Sequence, residues 1–458
     1  MQSDALPSVS EAPDSERPHQ RPPFTEDTLA SRLGAVSRLS VVLGRQNKKP
    51  VPLLTGQVPS NVSIEIHGDL GAVAPEWQAF EVHADCTPFQ KFVWLERWQR
   101  HVGVRRKAVP IIVIGRHEDG EILFMLPLAI EHRGALRVLT WLGVDLGDYN
   151  APLLSPSFQD HPLAKNFASA WTEIAALIQS APGFGFDLAD LPKMPEMVGD
   201  QSNPMLQLNV IPNRSGAYVA TLGDDWETYY SARRSPSTRK TARRKQKQLE
   251  ACGQLRFVQP IDRKDAAATL EVLIAQKSEA FARMGVENIF ERPGYREFYN
   301  AIVTDPEAQD LVHVSRLEVG EAFGSTNVSL QLRDRFYMIL SSYHGGEISR
   351  FGPGTAHLHE MMRDAIERGF RQFDFTIGDE PYKLDWADIK LVLYDHLAAY
   401  TLRGRAAAFS ASLLRRVTRF IKQTPILWRL AVKVRAFIAR QKGRAGGRER
   451  HSAGHEGR

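Results

Sequence analysis

The sequence predicts an α/β fold of two tandem units, each with a mixed central sheet flanked by helices. Strand-like apolar runs alternate with helical patterns along most of the 458 residues, as in α/β proteins. The same run of hairpin, strand, helix and strand occurs in each half, which indicates two related units. The first hairpin joins Pro110–Arg116 to Glu121–Glu131 through an Asp-Gly turn, a strong hairpin signal. The second joins Leu311–Val319 to Glu321–Leu332 around Gly320.

Composition divides the chain into five segments. Residues 1–58 are rich in Pro, Ser, Glu, Arg and Gln and lack apolar periodicity, which predicts a disordered tail. Residues 59–215 and 216–404 are predicted to be the first and second α/β units. Residues 405–440 predict basic amphipathic helices, and residues 441–458 a second disordered tail.

Positive charge is concentrated in two regions. The formal net charge is only +5, yet no Asp or Glu occurs between His396 and Arg448. A predicted helix over Trp226–Ala251 carries eight basic residues and no acid between Arg233 and Lys247. Such patches indicate an anionic partner, namely phosphate groups, a membrane surface or nucleic acid. No aromatic residues interleave with these basic residues, which argues against sequence-specific reading of nucleic acid.

Several classes of protein are disfavoured. Cys86 and Cys252 are the only cysteines, so neither a disulfide framework nor a CxxC metal site is expected. We expect no metal, because no cluster has ligand spacing. The polar N-terminus lacks the apolar core of a signal peptide, and no run reaches the ~18 apolar residues that span a bilayer. The expected location is the cytoplasm, and residues 405–440 either lie on an anionic inner-membrane surface or dock on the domain.

A glycine-rich turn between a strand and a helix is the strongest local signal. The strand Phe336–Leu340 precedes this turn, and the helix Ala356–Arg368 follows it. Unpaired amides and the helix dipole at such a turn favour bound phosphate, although a plain strand-to-helix turn is the alternative. The turn matches neither a Walker loop nor a dinucleotide fingerprint. The predicted diphosphate-binding residues are Arg350, Phe351, Gly352, Pro353, Gly354 and Thr355.

The order of motifs resembles the CelD/BcsL branch of GNAT-superfamily acetyltransferases. The motifs are Thr87–Gln90, Asp148–Pro152, Pro353-Gly354 with its helix, Phe373–Phe375 and Gly378–Lys383. The resemblance covers roughly residues 60–400. It implies that the turn at Arg350–Thr355 holds the pyrophosphate of an acyl-coenzyme A, which is the expected co-substrate.

Acyl transfer needs a base for the acceptor, donors for the carbonyl oxygen and an acid for the departing thiolate. With the resemblance, the candidates for base are His344, Asp374 and Glu380. Tyr382 is the candidate acid, Lys383 belongs to the same polar string, and the amides around Ser342–His344 are the expected carbonyl donors. The predicted substrate-binding residues are Asp148, Tyr149, Arg233 and Lys240.

The leading prediction is an acyl-CoA-dependent N- or O-acyltransferase. The resemblance implies an acceptor that is a small molecule or a glycan or cell-envelope precursor. One alternative is a Fem-type transferase that takes its acyl group from aminoacyl-tRNA, which the basic helix fits. Another is a non-catalytic relative that associates with membranes through residues 405–440.

Overall fold

The computed structural model describes residues 52–58 and 61–410. Its strands are β1 (Leu54–Val58), β2 (Val62–His67), β3 (Val109–Arg116), β4 (Ile122–Arg133), β5 (Leu136–Trp141), β6 (Leu153–Leu154), β7 (Leu188–Pro195), β8 (Met197–Val198), β9 (Gln201–Ser202), β10 (Val210–Pro212), β11 (Ala217–Thr221), β12 (Leu255–Val258), β13 (Val312–Val319), β14 (Ala322–Leu332), β15 (Arg335–Tyr343), β16 (Gln372–Ile377), β17 (Ile389–Leu391) and β18 (Leu393–Ala399). Its α-helices are α1 (Leu70–Phe80), α2 (Phe92–Trp98), α3 (Phe167–Ser180), α4 (Trp226–Arg233), α5 (Pro236–Glu250), α6 (Arg263–Met284), α7 (Tyr295–Thr304), α8 (Pro353–Glu367) and α9 (Pro381–Leu384).

Two large mixed sheets confirm the predicted fold class. The first has the order β1-β2-β3-β4-β5-β7-β18-β10, with β6 added beside β4. The second has the order β12-β13-β14-β15-β16-β11-β17. In each sheet one pair is parallel, β5 with β7 and β15 with β16, while the neighbouring pairs are antiparallel. Helix α3 connects the first parallel pair and α8 the second, so the tandem repeat predicted from sequence is present.

One strand of the second unit belongs to the first sheet. Strand β18 lies at Leu393–Ala399, within the predicted second unit, but it pairs with β7 of the first sheet. Strand β11 follows the first half directly and inserts between β16 and β17 of the second sheet. The first sheet is therefore completed by a strand from beyond its own run of sequence, which ties the halves together.

Two segments differ from the sequence prediction. The predicted tail includes β1, which pairs with the edge of β2 and carries too little apolar signal of its own to be recognised. The predicted strand Phe184–Leu188 was wrong, because the Gln179 side chain hydrogen-bonds both the N–H and the C=O of Phe186 and holds this segment in a loop. Strand β7 begins only at Leu188.

The predicted continuous basic helix is broken. Helix α4 ends at Arg233, and α5 begins at Pro236 with Ser235 as its N-cap. Proline fixes its own backbone and disfavours the α conformation of the residue before it, while the Ser235 hydroxyl accepts from the Thr238 N–H. Arg233 consequently does not share a helix face with Lys240.

A shared core fixes the halves against each other. One hydrophobic cluster contains side chains from both halves, and within it Trp94 of α2 contacts Phe298 of α7 edge to face, with ring centroids 4.8 Å apart. At its margin Arg97 pairs with Asp305 at 2.5 Å. A site formed between the halves is therefore held by packed structure.

Two expectations concern the C-terminal segment. The described part of residues 405–440 is helical as far as residue 410, and the remaining amphipathic pattern and the tail at 441–458 lie outside the described residues. Among the helices that are described, none is both long and apolar enough to cross a bilayer.

Candidate active site

A fork between β15 and β16 is the central feature of the second sheet. Their parallel pairing covers only Arg335–Tyr337 of β15 and Gln372–Asp374 of β16. Beyond it β15 continues to Tyr343 and β16 to Ile377. The two strands do not pair with each other there, so backbone groups that no side chain already engages can bind an extended ligand.

A bulge in β15 lies within the fork. The register with β14 shifts between Met338 and Leu340, so that Ile339 is the extra residue. A bulge disrupts the ladder locally and frees a backbone amide that can donate to a developing oxyanion. The sequence analysis expected these donors around Ser342–His344, but the register places the irregularity at Ile339. Apolar alternation does not reveal which residue of a strand is inserted.

The start of α8 lies at the open end of the fork. Gly352 adopts the left-handed conformation with φ of 71°, Pro353 occupies the first turn, and no side chain caps the helix. The N–H groups of Thr355 and Ala356 both donate to the Gly352 carbonyl. The amide of Gly354 makes no such bond, so it is the donor of this turn that is left for a ligand. Fewer amides are available than the sequence analysis expected, but the uncapped helix dipole is retained.

Tyr343 brings the end of β15 against this helix start. A Cβ atom at Gly354 would lie 3.3 Å from Tyr343 Cδ1. The space at Gly354 is therefore limited, and a side chain there would project into the region where a phosphate would lie.

Basic side chains surround the turn. Arg350 lies over the Phe351 ring, with its guanidinium carbon 4.7 Å from the ring centroid. Lys245 of α5 approaches Gly352, because its Cδ atom would be 3.9 Å from a Cβ at that glycine. Arg243 and Lys245 also line a cavity that includes Gly352 and Thr355. These charges, together with the uncapped helix, fit a diphosphate group.

The two predicted substrate-binding cations of the basic segment have other surroundings. Arg233 donates to the Asp388 carboxylate at 2.7 Å, so its charge is paired with a carboxylate of the fold. Lys240 is exposed on α5. Neither residue is brought to the fork.

Asp374 anchors one half to the other. It is fully buried, and its carboxylate accepts from the Tyr149 hydroxyl at 2.8 Å, from the Arg335 guanidinium and from the Thr376 N–H at 2.7 Å. Burial and the neighbouring Asp374 carboxylate raise the pKa of Tyr149 well above its usual value. Because its carboxylate is occupied by donors from both halves, Asp374 is suited to holding the fork together.

Asp148 lies beside the fork from the first half. Its carboxylate interacts with the Thr376 hydroxyl, which also lies 3.3 Å from the Met338 carbonyl oxygen next to the bulge. Burial raises the pKa of Asp148, and the positive charges of Lys193 and Lys383 partly offset that rise. Thr376 itself has φ of 56°, an uncommon conformation for a β-branched residue that is typical of functional sites.

Glu380 and Lys383 form an ion pair at the mouth of the fork. The buried Lys383 ammonium donates to the Ile377 carbonyl oxygen at 2.9 Å and lies 2.9 Å from Glu380 Oε2. Tyr382 projects outward and is 41% exposed. Burial of its hydroxyl and the nearby Glu380 carboxylate raise the pKa of Tyr382, so the phenol stays protonated at neutral pH and can donate a proton.

Lys277 of α6 belongs to this cluster and was missed by the sequence analysis. Burial lowers the pKa of Lys277. The negative charge of Glu380 raises this pKa, and the positive charge of Lys383 lowers it further. The signal was present in the sequence, because Leu270, Leu273 and Lys277 share the inward face of α6 at helical spacing. A lysine within an apolar stripe is rare unless it is paired or functional.

The histidines have different surroundings. His344 is exposed, and its Nδ1 accepts from the Gly346 N–H at 3.0 Å. His357 is buried between the Ser315 and Ser325 hydroxyls, and burial lowers its pKa to about 3. His359 lies among aromatic rings on another face of α8, and burial lowers its pKa to about 4. Within the described residues no group of three or more His, Cys, Asp or Glu side chains is arranged to hold a metal ion.

A cavity of about 400 Å³ separates the halves at the opposite end of β15. Tyr149, Arg335 and Tyr337 line it. A strand rises about 3.3 Å per residue, so Arg335 is roughly 26 Å from Tyr343. The cavity is therefore remote from the start of α8.

Comparison with known proteins agrees with this geometry. Residues 236–384 match the family described as "Acetyltransferase (GNAT) domain". The second half of the chain contains a GNAT acetyltransferase domain. The match is to the GNAT domain as a whole, and membership of the CelD/BcsL branch stays a prediction. No curated protein sequence matches the chain significantly.

Solved structures with similar folds have low sequence identity. FemX has a TM-score of 0.48 and 12% identity, covering 73% of this chain and 97% of its own. A conserved protein of unknown function from Bacteroides thetaiotaomicron VPI-5482 has a TM-score of 0.45 and 11% identity, covering 75% and 100%. A tandem GNAT protein from the clavulanic acid biosynthesis pathway has a TM-score of 0.39 and 11% identity, covering 73% and 98%. At these values the similarities carry no functional argument.

The GNAT domain contains the whole fork but not all of its neighbours. The match extends from α5 to α9 and includes β15, β16 and the start of α8. Asp148 and Tyr149 lie outside it, yet they contact Thr376 and Asp374 inside it. The first half thus contributes side chains to the fork of the GNAT domain.

Proposed function

We propose that the protein transfers an acyl group from acyl-coenzyme A to an amine or hydroxyl of an acceptor. The observation that carries this function is the fork between β15 and β16, which opens beside an uncapped helix start flanked by Arg350 and Lys245. An extended pantetheine arm can pair with the unpaired strand edges while its diphosphate lies at the start of α8.

The roles proposed for the side chains follow from their positions. The amide near Ile339 donates to the thioester carbonyl oxygen as negative charge develops there. Asp148, with its raised pKa, takes the proton from the attacking amine or hydroxyl. The new bond to the carbonyl carbon replaces the carbon–sulfur bond, and Tyr382 donates a proton to the departing thiolate. Lys383 and Glu380 position the loop that carries Tyr382.

The proposed acceptor is a small molecule or a glycan or cell-envelope precursor, approaching from the side where Asp148 and Lys277 lie. Its class rests on the resemblance described above. The proposed location is the cytoplasm, at the membrane surface when residues 405–440 bind anionic lipid. Lys277 is compatible with an acceptor that carries hydroxyl or acidic groups, whereas the Lys383 ammonium is bonded to Ile377 and Glu380.

Release of free thiol from acetyl-CoA tests this function. We expect release that depends on one member of a panel of amines, amino sugars and lipid-linked glycans. Mass spectrometry should show a matching mass gain of the acceptor. Absence of transfer from acetyl-, butyryl- and longer acyl-CoA to every acceptor would contradict it.

A second candidate, transfer from aminoacyl-tRNA, is favoured by the exposed cations of α5. They are Lys240, Arg243, Arg244, Lys245 and Lys247, while Arg239 is half-buried. Binding of charged tRNA would weaken steeply with salt, because each phosphate contact releases counterions. Tight tRNA binding without any affinity for acyl-CoA would favour this candidate over the first.

A further inference from the structure

The cavity of about 400 Å³ between the halves has no role in the proposed acyl transfer. Its lining includes Arg335, Tyr337 and Gln372, which lie where β15 and β16 pair with each other and the fork has not yet opened. A cavity of this volume is within the range of small-ligand sites. Its chemistry can therefore be considered separately from that of the fork.

The Tyr337 hydroxyl is a buried polar group without a partner. Tyr337 lines the cavity and is only 6% exposed. No group in the part of the chain that the structure describes hydrogen-bonds its hydroxyl, and the oxygen is not sealed from solvent. Burial raises the pKa of Tyr337, so the phenol stays protonated at neutral pH and can donate. Because buried hydroxyls are normally hydrogen-bonded, this group indicates a ligand with an acceptor atom in the cavity.

The cavity also has carboxylates without a cationic partner. They are Glu196, Asp200 and Asp334, which are exposed, and no described Lys, Arg or His lies within ion-pair distance of them. The two arginines of the lining do not offset this charge. Arg333 already pairs with Asp85 at 2.5 Å, and Arg335 pairs with Asp374 at 2.5 Å. The lining therefore carries an excess of negative charge, which attracts a cation.

The arrangement of this charge favours an organic cation over a metal ion. Among the residues described, no three His, Cys, Asp or Glu side chains are grouped to hold a metal, so the three carboxylates do not converge on one ion. Leu332, Ile389 and Leu391 add an apolar wall to the cavity. A ligand that contacts the carboxylates and Tyr337 needs a positive charge, an apolar body and an acceptor atom.

We infer that this cavity binds a small amphipathic amine, with its ammonium among Glu196, Asp200 and Asp334 and an oxygen atom at the Tyr337 hydroxyl. The ammonium supplies the positive charge that the carboxylates lack, and the apolar body contacts Leu332 and Leu391. The oxygen of the ligand accepts from the Tyr337 O–H. The inference goes beyond the proposed function, because none of these contacts involves the acyl donor or the fork.

Calorimetric titration of the full-length protein with three small molecules tests the inference. Tyramine has an ammonium, an apolar ring and a hydroxyl. Hydroxyphenylpropionate has a carboxylate in place of the ammonium, and phenethylamine lacks the hydroxyl. We expect tyramine to bind at least about tenfold more tightly than hydroxyphenylpropionate, as hydrogen bonds to charged groups require. It should bind about 2- to 10-fold more tightly than phenethylamine, the range for one neutral hydrogen bond.

Two variants assign the contacts. Asp200→Asn/Asp334→Asn should weaken tyramine binding at least about tenfold, and substitutions at such exposed positions usually leave the fold intact. Tyr337→Phe keeps the ring and removes only the hydroxyl, so it should bind tyramine and phenethylamine equally.

Glu118→Gln/Glu121→Gln is the matched control, because it also removes two exposed carboxylates but neither lines the cavity. It should bind tyramine as wild type does. An equal loss in the control would overturn the inference, because general attraction by the acidic surface would then be the cause. The inference would also be overturned if wild type binds neither amine, or prefers hydroxyphenylpropionate, or if Tyr337→Phe keeps the preference for tyramine. Each of these results leaves the proposed function standing, because acyl transfer is measured separately.

Discussion

Replacing Asp374 with alanine is expected to lower the free energy of unfolding by about 3–5 kcal/mol, the usual cost of breaking a buried ion pair. The substitution leaves the guanidinium of Arg335 without its carboxylate and the Tyr149 hydroxyl without an acceptor. It also frees the Thr376 N–H. Urea unfolding followed by circular dichroism measures the loss. The stability of Asp374→Asn should lie between those of wild type and Asp374→Ala, because asparagine keeps the shape and part of the hydrogen bonding.

Asp334→Ala is the matched control for this loss. Asp334 is exposed just before β15, and surface substitutions usually change stability by about 0.5 kcal/mol or less. If Asp374→Ala were as stable as Asp334→Ala, the carboxylate would not join the two halves as described.

Replacing Asp148 with asparagine is expected to lower kcat by about 10²–10⁴, the usual contribution of a general base. The acceptor amine or hydroxyl would then keep its proton as it attacks. Stability should not fall, because burial disfavours the ionised carboxylate of Asp148 and a neutral amide avoids that cost. The rate of acyl transfer at saturating donor measures kcat, and urea unfolding measures stability. Together they separate a loss of catalysis from a loss of folding.

The pH dependence of kcat/KM is an independent test of Asp148 as the general base. Its pKa is raised by burial, so wild-type kcat/KM should fall as the pH drops through that raised value, where the base becomes protonated. The residual activity of Asp148→Asn should lack this acid limb. A variant that kept both wild-type kcat and the acid limb would remove Asp148 from the chemistry and leave Glu380 or His344 as base.

Local signals predicted many elements of both halves. The Asp-Gly turn specified the first hairpin, and the glycine turn specified the start of α8 to within a few residues. In the structure Asp374 faces away from Phe373 and Phe375, which pack with α8 in a different cluster, as the period of two along a strand requires. The break at Ser235 was readable as a serine cap before a proline at the first helical position.

Long-range pairing was beyond the sequence. Strands β11 and β18 are short, and the sequence of a short strand does not specify which other strands it pairs with. The hydrogen bond between Tyr149 and Asp374 spans 225 residues, so neither residue reveals the other. Because the residues around the fork come from both halves, the sequence supplied the types of side chain but not their grouping, and it predicted Asp148 as a substrate-binding residue and not as a base.

Calorimetric titration of acetyl-CoA into wild type, Gly354→Glu and Gly354→Gln tests the phosphate site at the start of α8 most directly. Wild type should bind in the micromolar range, typical of enzyme substrates. Gly354→Glu should weaken binding at least about 100-fold, because it places a carboxylate where the helix dipole favours phosphate, and the neutral Gly354→Gln should lose less. If wild type binds no acyl-CoA, or Gly354→Glu binds as tightly as wild type, the donor does not bind at this helix.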